Sequence, residues 1–129
     1  MSSGIEGRLR DGLAATPDVV VAAYLFGSQA RGTASSRSDV DLAILMREAP
    51  PRTLLGQPFE LEDQLHASLG IEVQLVVLNR APPDLIHRGL RDGVLLLDRD
   101  PSARIRFEVS ARNAYFDLKP YLDRYREAG

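Results

Sequence analysis

With 129 residues, a net charge of -2 and 44% hydrophobic side chains, the chain can bury a core as one soluble globular domain without covalent staples. The mild acidity excludes a broad basic field for direct nucleic-acid binding, and the absence of cysteine excludes a disulfide scaffold or a cysteine-ligated zinc site. No apolar run nears the ~20 residues of a membrane span and no signal peptide is visible, so a cytoplasmic protein is expected.

Ile5–Arg8 (IEGR) matches a protease-cleavage tag, so residues 1–8 read either as tag-derived or as a frayed helical turn. Leu9–Ala15 is a short helix that ends before Pro17, which restricts Thr16. Val19–Phe26 (VVVAAYLF) is apolar on both faces and reads as a buried strand, with Tyr24 a core aromatic. Gly27 follows it. Lacking a side chain, Gly27 lets a phosphate approach its backbone. Ser28 adds a hydroxyl and opens a short helix, Ser28–Arg31, whose N-terminal N–H groups suit an anion. Arg31, one turn on, can face the same ligand. Gly32–Ser38 is a Ser/Thr/Gly-rich loop, and its Arg37 reads as a solvated charge.

Val40–Met46 (VDLAILM) is the second strand. Asp39 and Asp41 are two apart, so both project from the face of Ala43 and Leu45, roughly 6.5–7 Å apart along the backbone. Carboxylates so spaced can share Mg²⁺ through oxygen ligands, with substrate phosphates completing the shell. Asp41, inside an apolar run, is costly to bury unless paired or metal-bound. A phosphate cradle beside a carboxylate metal site points to a nucleoside triphosphate.

Ala49–Pro58 is a proline-rich loop. Phe59–Leu69 is an amphipathic helix, with Leu61, Leu65 and Leu69 at every fourth position and His66 on its surface. Gly70 ends it. Ile71–Leu78 is the third strand, where Glu72, Gln74 and Val76 share a face. Asn79–Pro83 is a turn and Asp84–Asp92 a helix stopped by Gly93, with His87 structural or exposed. Val94–Leu97 is a fourth short strand, followed by a turn at Asp98–Pro101. Ser102–Ala128 is the longest helical segment. Phe107, Ala111, Ala114, Leu118 and Leu122 form its core stripe, a second stripe offers a partner face, and Pro120 should kink or split it near Lys119.

GSQARGTASSRSDVDL, Gly27–Leu42, resembles the GS-x10-D-x-D signature of the nucleotidyltransferase superfamily that includes DNA polymerase beta. It is closest to the minimal nucleotidyltransferases (MNT), small partners of HEPN-domain proteins. Arg31-Gly32, Ser38, EVQLVVLNRAP at Glu72–Pro82 and GVLLLD at Gly93–Asp98 extend the resemblance over most of the chain. It implies a single α/β domain, a small mixed sheet flanked by helices. It also implies transfer of AMP from ATP to a protein hydroxyl, with Asp39 and Asp41 binding Mg²⁺ (or Mn²⁺) and Gly27, Ser28 and Arg31 holding the nucleotide. The partner implied is a HEPN ribonuclease toxin, to which this chain would be antitoxin.

The family's third carboxylate, which acts with the metals or takes the acceptor's proton, falls at Gln74. Gln74 cannot be a base, so Glu72 stands in, metal lowers the acceptor's pKa, or the protein neutralises its partner by binding alone. Transfer onto RNA is disfavoured because no acceptor domain is present. Homo-oligomerisation is left open.

Overall fold

The computed structural model describes residues 3–26, 40–48 and 59–128. Helix α1 (Ser3–Ala14) leads into strands β1 (Val20–Phe26) and β2 (Val40–Met46). Helix α2 (Phe59–Leu69), strand β3 (Val73–Val77) and a single 3₁₀ turn (Leu78–Arg80) follow. Helix α3 (Pro83–Asp92), strand β4 (Val94–Asp98) and helix α4 (Pro101–Ala128) complete the order.

The strands form one sheet in the order β3-β2-β1-β4. β1 runs antiparallel to both β2 and β4, whereas β2 and β3 are parallel and joined through α2. The sheet is therefore mixed and covered on both faces, which is why β1 and β2 read as near-continuous apolar runs. On one face Leu9 and Leu13 of α1 and Leu65 and Leu69 of α2 pack against Leu25, Val40, Leu42 and Ile44. On the other, Ile86 of α3 and Ala111 of α4 pack against Tyr24, Phe26, Ala43 and Leu45. Among the described residues no helix is long and apolar enough to cross a membrane.

Most element limits differ from the sequence reading: β1 begins at Val20, β3 at Val73 and α4 at Pro101, β4 takes in Asp98, and α1 ends at Ala14. α1 begins at Ser3 rather than Leu9, with Ile5 packed against the core and Arg8 donating to the Leu69 carbonyl. β3 ends at Val77, and fully buried Leu78 turns into the 3₁₀ turn. α3 starts one residue earlier, at Pro83, where a proline costs no hydrogen bond. α4 is one continuous helix through Pro120, because the missing N–H loses a single bond while the rest of the 28-residue ladder persists. Its first half packs through Ala103, Phe107 and Ala111. Farther along, Ala114 is exposed, as are Phe116, Tyr121 and Tyr125.

Two side chains do what no strand can. Arg99, just past β4, donates to Leu13, Ala14, Thr16, Pro17 and Val20 carbonyls, so it gathers the C-terminal end of α1 and the turn into β1. Asn79 accepts from the Met46 N–H and donates to the Met46 carbonyl, both at 2.9 Å, clamping the end of β2 to the turn after β3. Gly70 adopts φ 72° and closes α2 through its N–H to the His66 carbonyl.

Gly89 sits where α3 crosses β1. A Cβ there would lie 2.1 Å from the Phe26 ring. Helix propensity alone favours alanine over glycine by about 1 kcal/mol, but overpacking costs about 1–3 kcal/mol. Gly89→Ala is expected to lower the thermal midpoint, and calorimetry showing a rise would mean that the ring yields without cost.

Candidate functional site

The two candidates within the described residues, Asp41 and Gln74, lie at the end of the sheet where β1 finishes and β2 and β3 begin. Asp41 is the second residue of β2 and is half-buried, unlike its buried neighbours Val40 and Leu42. Alternation along the strand puts it on the α3–α4 face with Ala43 and Leu45. Its register partners are Phe26, the last residue of β1, and Gln74 on β3. Partners on adjacent strands share a face about 4.7–4.9 Å apart, so Gln74 stands beside Asp41 with its own side chain exposed.

Gly27, Ser28, Arg31 and Asp39 lie outside the described residues, as does Arg37. In the sequence Gly27 follows Phe26, and Asp39 precedes Val40. Among the described residues no group of three or more His, Asp and Glu side chains could hold a metal ion. Asp41 offers a carboxylate, an oxygen donor of the type Mg²⁺ prefers.

Glu72, the candidate substitute for the third carboxylate, lies one residue before β3 and is exposed. Its carbonyl accepts from the Val40 N–H at 3.0 Å. It also acts on Glu62 of α2. Burial chiefly pushes the Glu62 carboxyl up, with Asp63 and Glu72 adding to the rise and the Leu75 N–H opposing it.

These positions belong to a recognisable fold. A family model described as polymerase beta, nucleotidyltransferase matches residues 11–102. The chain belongs to this nucleotidyltransferase family. A Methanocaldococcus jannaschii relative named as a protein adenylyltransferase, MJ0128, is 32% identical over 71 residues, covering 55% of this chain and 69% of the relative. Two solved structures share the fold over nearly the whole length. One is a toxin–antitoxin complex with AMP-PNP, at a TM-score of 0.78 and 24% identity, covering 95% of this chain and 96% of that one. The other is a tri-AMPylated Shewanella oneidensis HEPN toxin in complex with MNT antitoxin, at 0.74 and 22%, covering 99% and 98%.

Away from Asp41, this nucleotidyltransferase carries a second polar cluster on the same face, over β1 and β4. Tyr24 is buried, as its core reading requires, and its hydroxyl donates to Glu108 Oε2 at 2.7 Å. Arg104 joins Glu108 (3.0 Å) to Asp98 (2.9 Å). Beside them lies a cleft of about 320 Å³, with His87, Arg91 and Arg112 on its walls. His87 stacks on Tyr115 at 3.7 Å with the rings 1° from parallel, a structural role. His66 is on the surface, with Nδ1 2.7 Å from the Ile71 carbonyl. The sequence reading missed Glu108 and Asn79. The four-residue spacing of Arg104 and Glu108 was a visible signal, as was an Asn closing an apolar strand.

Burial, more than the hydrogen bond to Glu108, pushes the Tyr24 phenol well above its ordinary value. Because the folded-state pKa is the higher one, this contribution is complete below pH ~10 and is lost as pH rises beyond it. Thermal midpoints of the wild type should fall more steeply above pH ~10 than those of Tyr24→Phe. Parallel curves would show that the phenol has the same pKa in the folded and unfolded states.

Proposed function

We propose that this nucleotidyltransferase transfers AMP from ATP to a hydroxyl on a HEPN-domain partner, for which it is the antitoxin. The observation that carries the reading is Asp41. A carboxylate stands half-exposed in an apolar strand, between the end of β1 and Gln74 on β3, in a chain of this family. The name of the M. jannaschii relative and the AMP-PNP and AMPylated-toxin complexes of the structural neighbours support the substrate and the partner. The site would work in the cytoplasm on protein, not nucleic acid.

In this reading the Gly27 backbone, the Ser28 hydroxyl and Arg31 bind the triphosphate. Asp39 and Asp41 supply oxygen ligands for Mg²⁺ or Mn²⁺. When bound, the ion stabilises charge developing on the transferring phosphoryl group. Gln74 can hydrogen-bond and orient but cannot take a proton. The acceptor's proton therefore leaves to solvent, or to Glu72 if that side chain reaches it.

A second reading rests on Gln74 itself. An amide in place of a base forfeits ~10²–10⁴ in rate, so the protein can neutralise its partner by holding it, with transfer slow or absent.

Label transfer from α-labelled ATP with Mg²⁺ to the partner that copurifies with this chain or is encoded next to its gene tests both. Asp41→Asn should reduce labelling by on the order of 10²–10³ while the fold stays intact, several kcal/mol of lost charge stabilisation. Undiminished labelling would overturn the carboxylate mechanism. Gln74→Asp should raise transfer by up to ~10²-fold. A strong rise from a negligible wild-type rate, with partner inhibition unchanged, would make binding the working mode.

A further inference from the structure

Only part of the apolar seam of α4 is used by its own domain. Phe107, Ala111, Ala114, Leu118, Tyr121 and Tyr125 recur at alternating spacings of four and three residues along the helix, the period of a coiled-coil seam. Phe107 and Ala111 pack on the sheet. The same seam continues through exposed Ala114 and half-buried Leu118 to Tyr121 and Tyr125, which are 65% and 81% exposed. Aromatic side chains left open on the continuation of a core seam mark an interaction surface.

The charges beside the seam point to its occupant. Lys119 and Asp123 pair with each other at 2.7 Å on the outer side of the helix. One flank of the seam carries Asp117 and Arg124, and the other carries Tyr115 and Leu122, both half-buried. The Arg124 guanidinium lies 5.8 Å from the centre of the Tyr121 ring, so its charge stands at the edge of the seam. An acid and a base two turns apart on one flank complement an identical helix lying antiparallel, because two-fold symmetry brings each flank against its own copy.

Centred between Lys119 and Pro120, such a pairing sets Asp117 against Arg124 of the second copy, and Arg124 against its Asp117. It also sets Leu118 against Tyr121 and Ala114 against Tyr125 in both directions, smaller side chains facing larger ones as close packing requires. A parallel pairing would stack each tyrosine on its own copy and turn the charged flank to the apolar one, with no ion pair.

We infer that the distal half of α4 is a homodimerisation surface, covered by the same segment of a second copy running antiparallel. The seam is short, which places the dimer at the small, weak end of protein interfaces. The segment is already helical in the single chain, so little backbone freedom is lost on pairing.

Sedimentation equilibrium of the wild type over about 1–200 µM should show a monomer–dimer equilibrium with a dissociation constant on the order of micromolar. Asp117→Arg and Arg124→Asp, both at exposed positions, each turn two attractive pairs into two repulsive ones. Each should weaken self-association by about tenfold. The variant carrying both substitutions restores the pairs in reverse and should dimerise as the wild type does, and the two single variants, mixed, should form the mixed dimer in preference to either self-pair. A wild type that stays monomeric throughout this range overturns the inference, as does a dimer indifferent to the single reversals or not restored by combining them. A monomer that holds the partner copurifying with this chain, and loses it with Tyr121→Glu, would give the seam to that partner instead.

Discussion

A carboxylate inside an apolar strand is the constraint around which this sheet is arranged. Six of the seven β2 residues are apolar, and Val40, Leu42, Ala43, Ile44 and Leu45 are buried. An isolated charge among them would cost several kcal/mol in desolvation. The strand meets this by carrying Asp41 at its second position, next to the terminus of β1, where the side chain remains half-exposed. The stretch from Leu42 to Leu45 can then be buried on both faces while Asp41 keeps partial exposure.

Holding that residue in place is the task of contacts far from it. β2 is flanked by β1 and β3, so both of its edges are hydrogen-bonded and its register is fixed on both sides. At the opposite end from Asp41, the paired hydrogen bonds of Asn79 to Met46 stop the parallel strands from slipping. Arg99 binds β4 to the α1–β1 turn across five carbonyls, and the Tyr24–Glu108–Arg104–Asp98 chain fastens α4 to the same two strands. Among the described residues, these anchors lie away from the candidate end of the sheet.

The strands were legible in the sequence for a simple reason. Burial on both faces produces unbroken apolar runs, and β2 and α2 match their expected limits residue for residue. What was not legible depends on partners distant in sequence. The helical start at Ser3 is fixed by Ile5 and Arg8 meeting core residues and α2, and β3 stops early because Leu78 is drawn into the core beneath α3. α4 runs through Pro120 because local propensity yields to a long ladder. At the candidate site, alternation alone gave the face of Asp41. Its pairing with Gln74 needed the parallel register, which no local pattern encodes.

That pairing gives the amide at Gln74 two opposed effects. As an aspartate, the residue would face Asp41 across one rung, and two unit charges about 5 Å apart repel by about 1–3 kcal/mol for effective dielectric constants between 80 and 20. A third carboxylate would also face a polyanionic nucleotide. Gln74 removes both repulsions, which favours nucleotide binding and a stable sheet. It also removes a proton acceptor whose loss costs ~10²–10⁴ in rate, about 2.7–5.5 kcal/mol of barrier. The kinetic loss is the larger quantity, so an amide here is advantageous only where holding the nucleotide or the partner matters more than turnover. Under the proposed function, a partner held in complex with the enzyme would satisfy that condition, because slow transfer suffices where the acceptor stays bound.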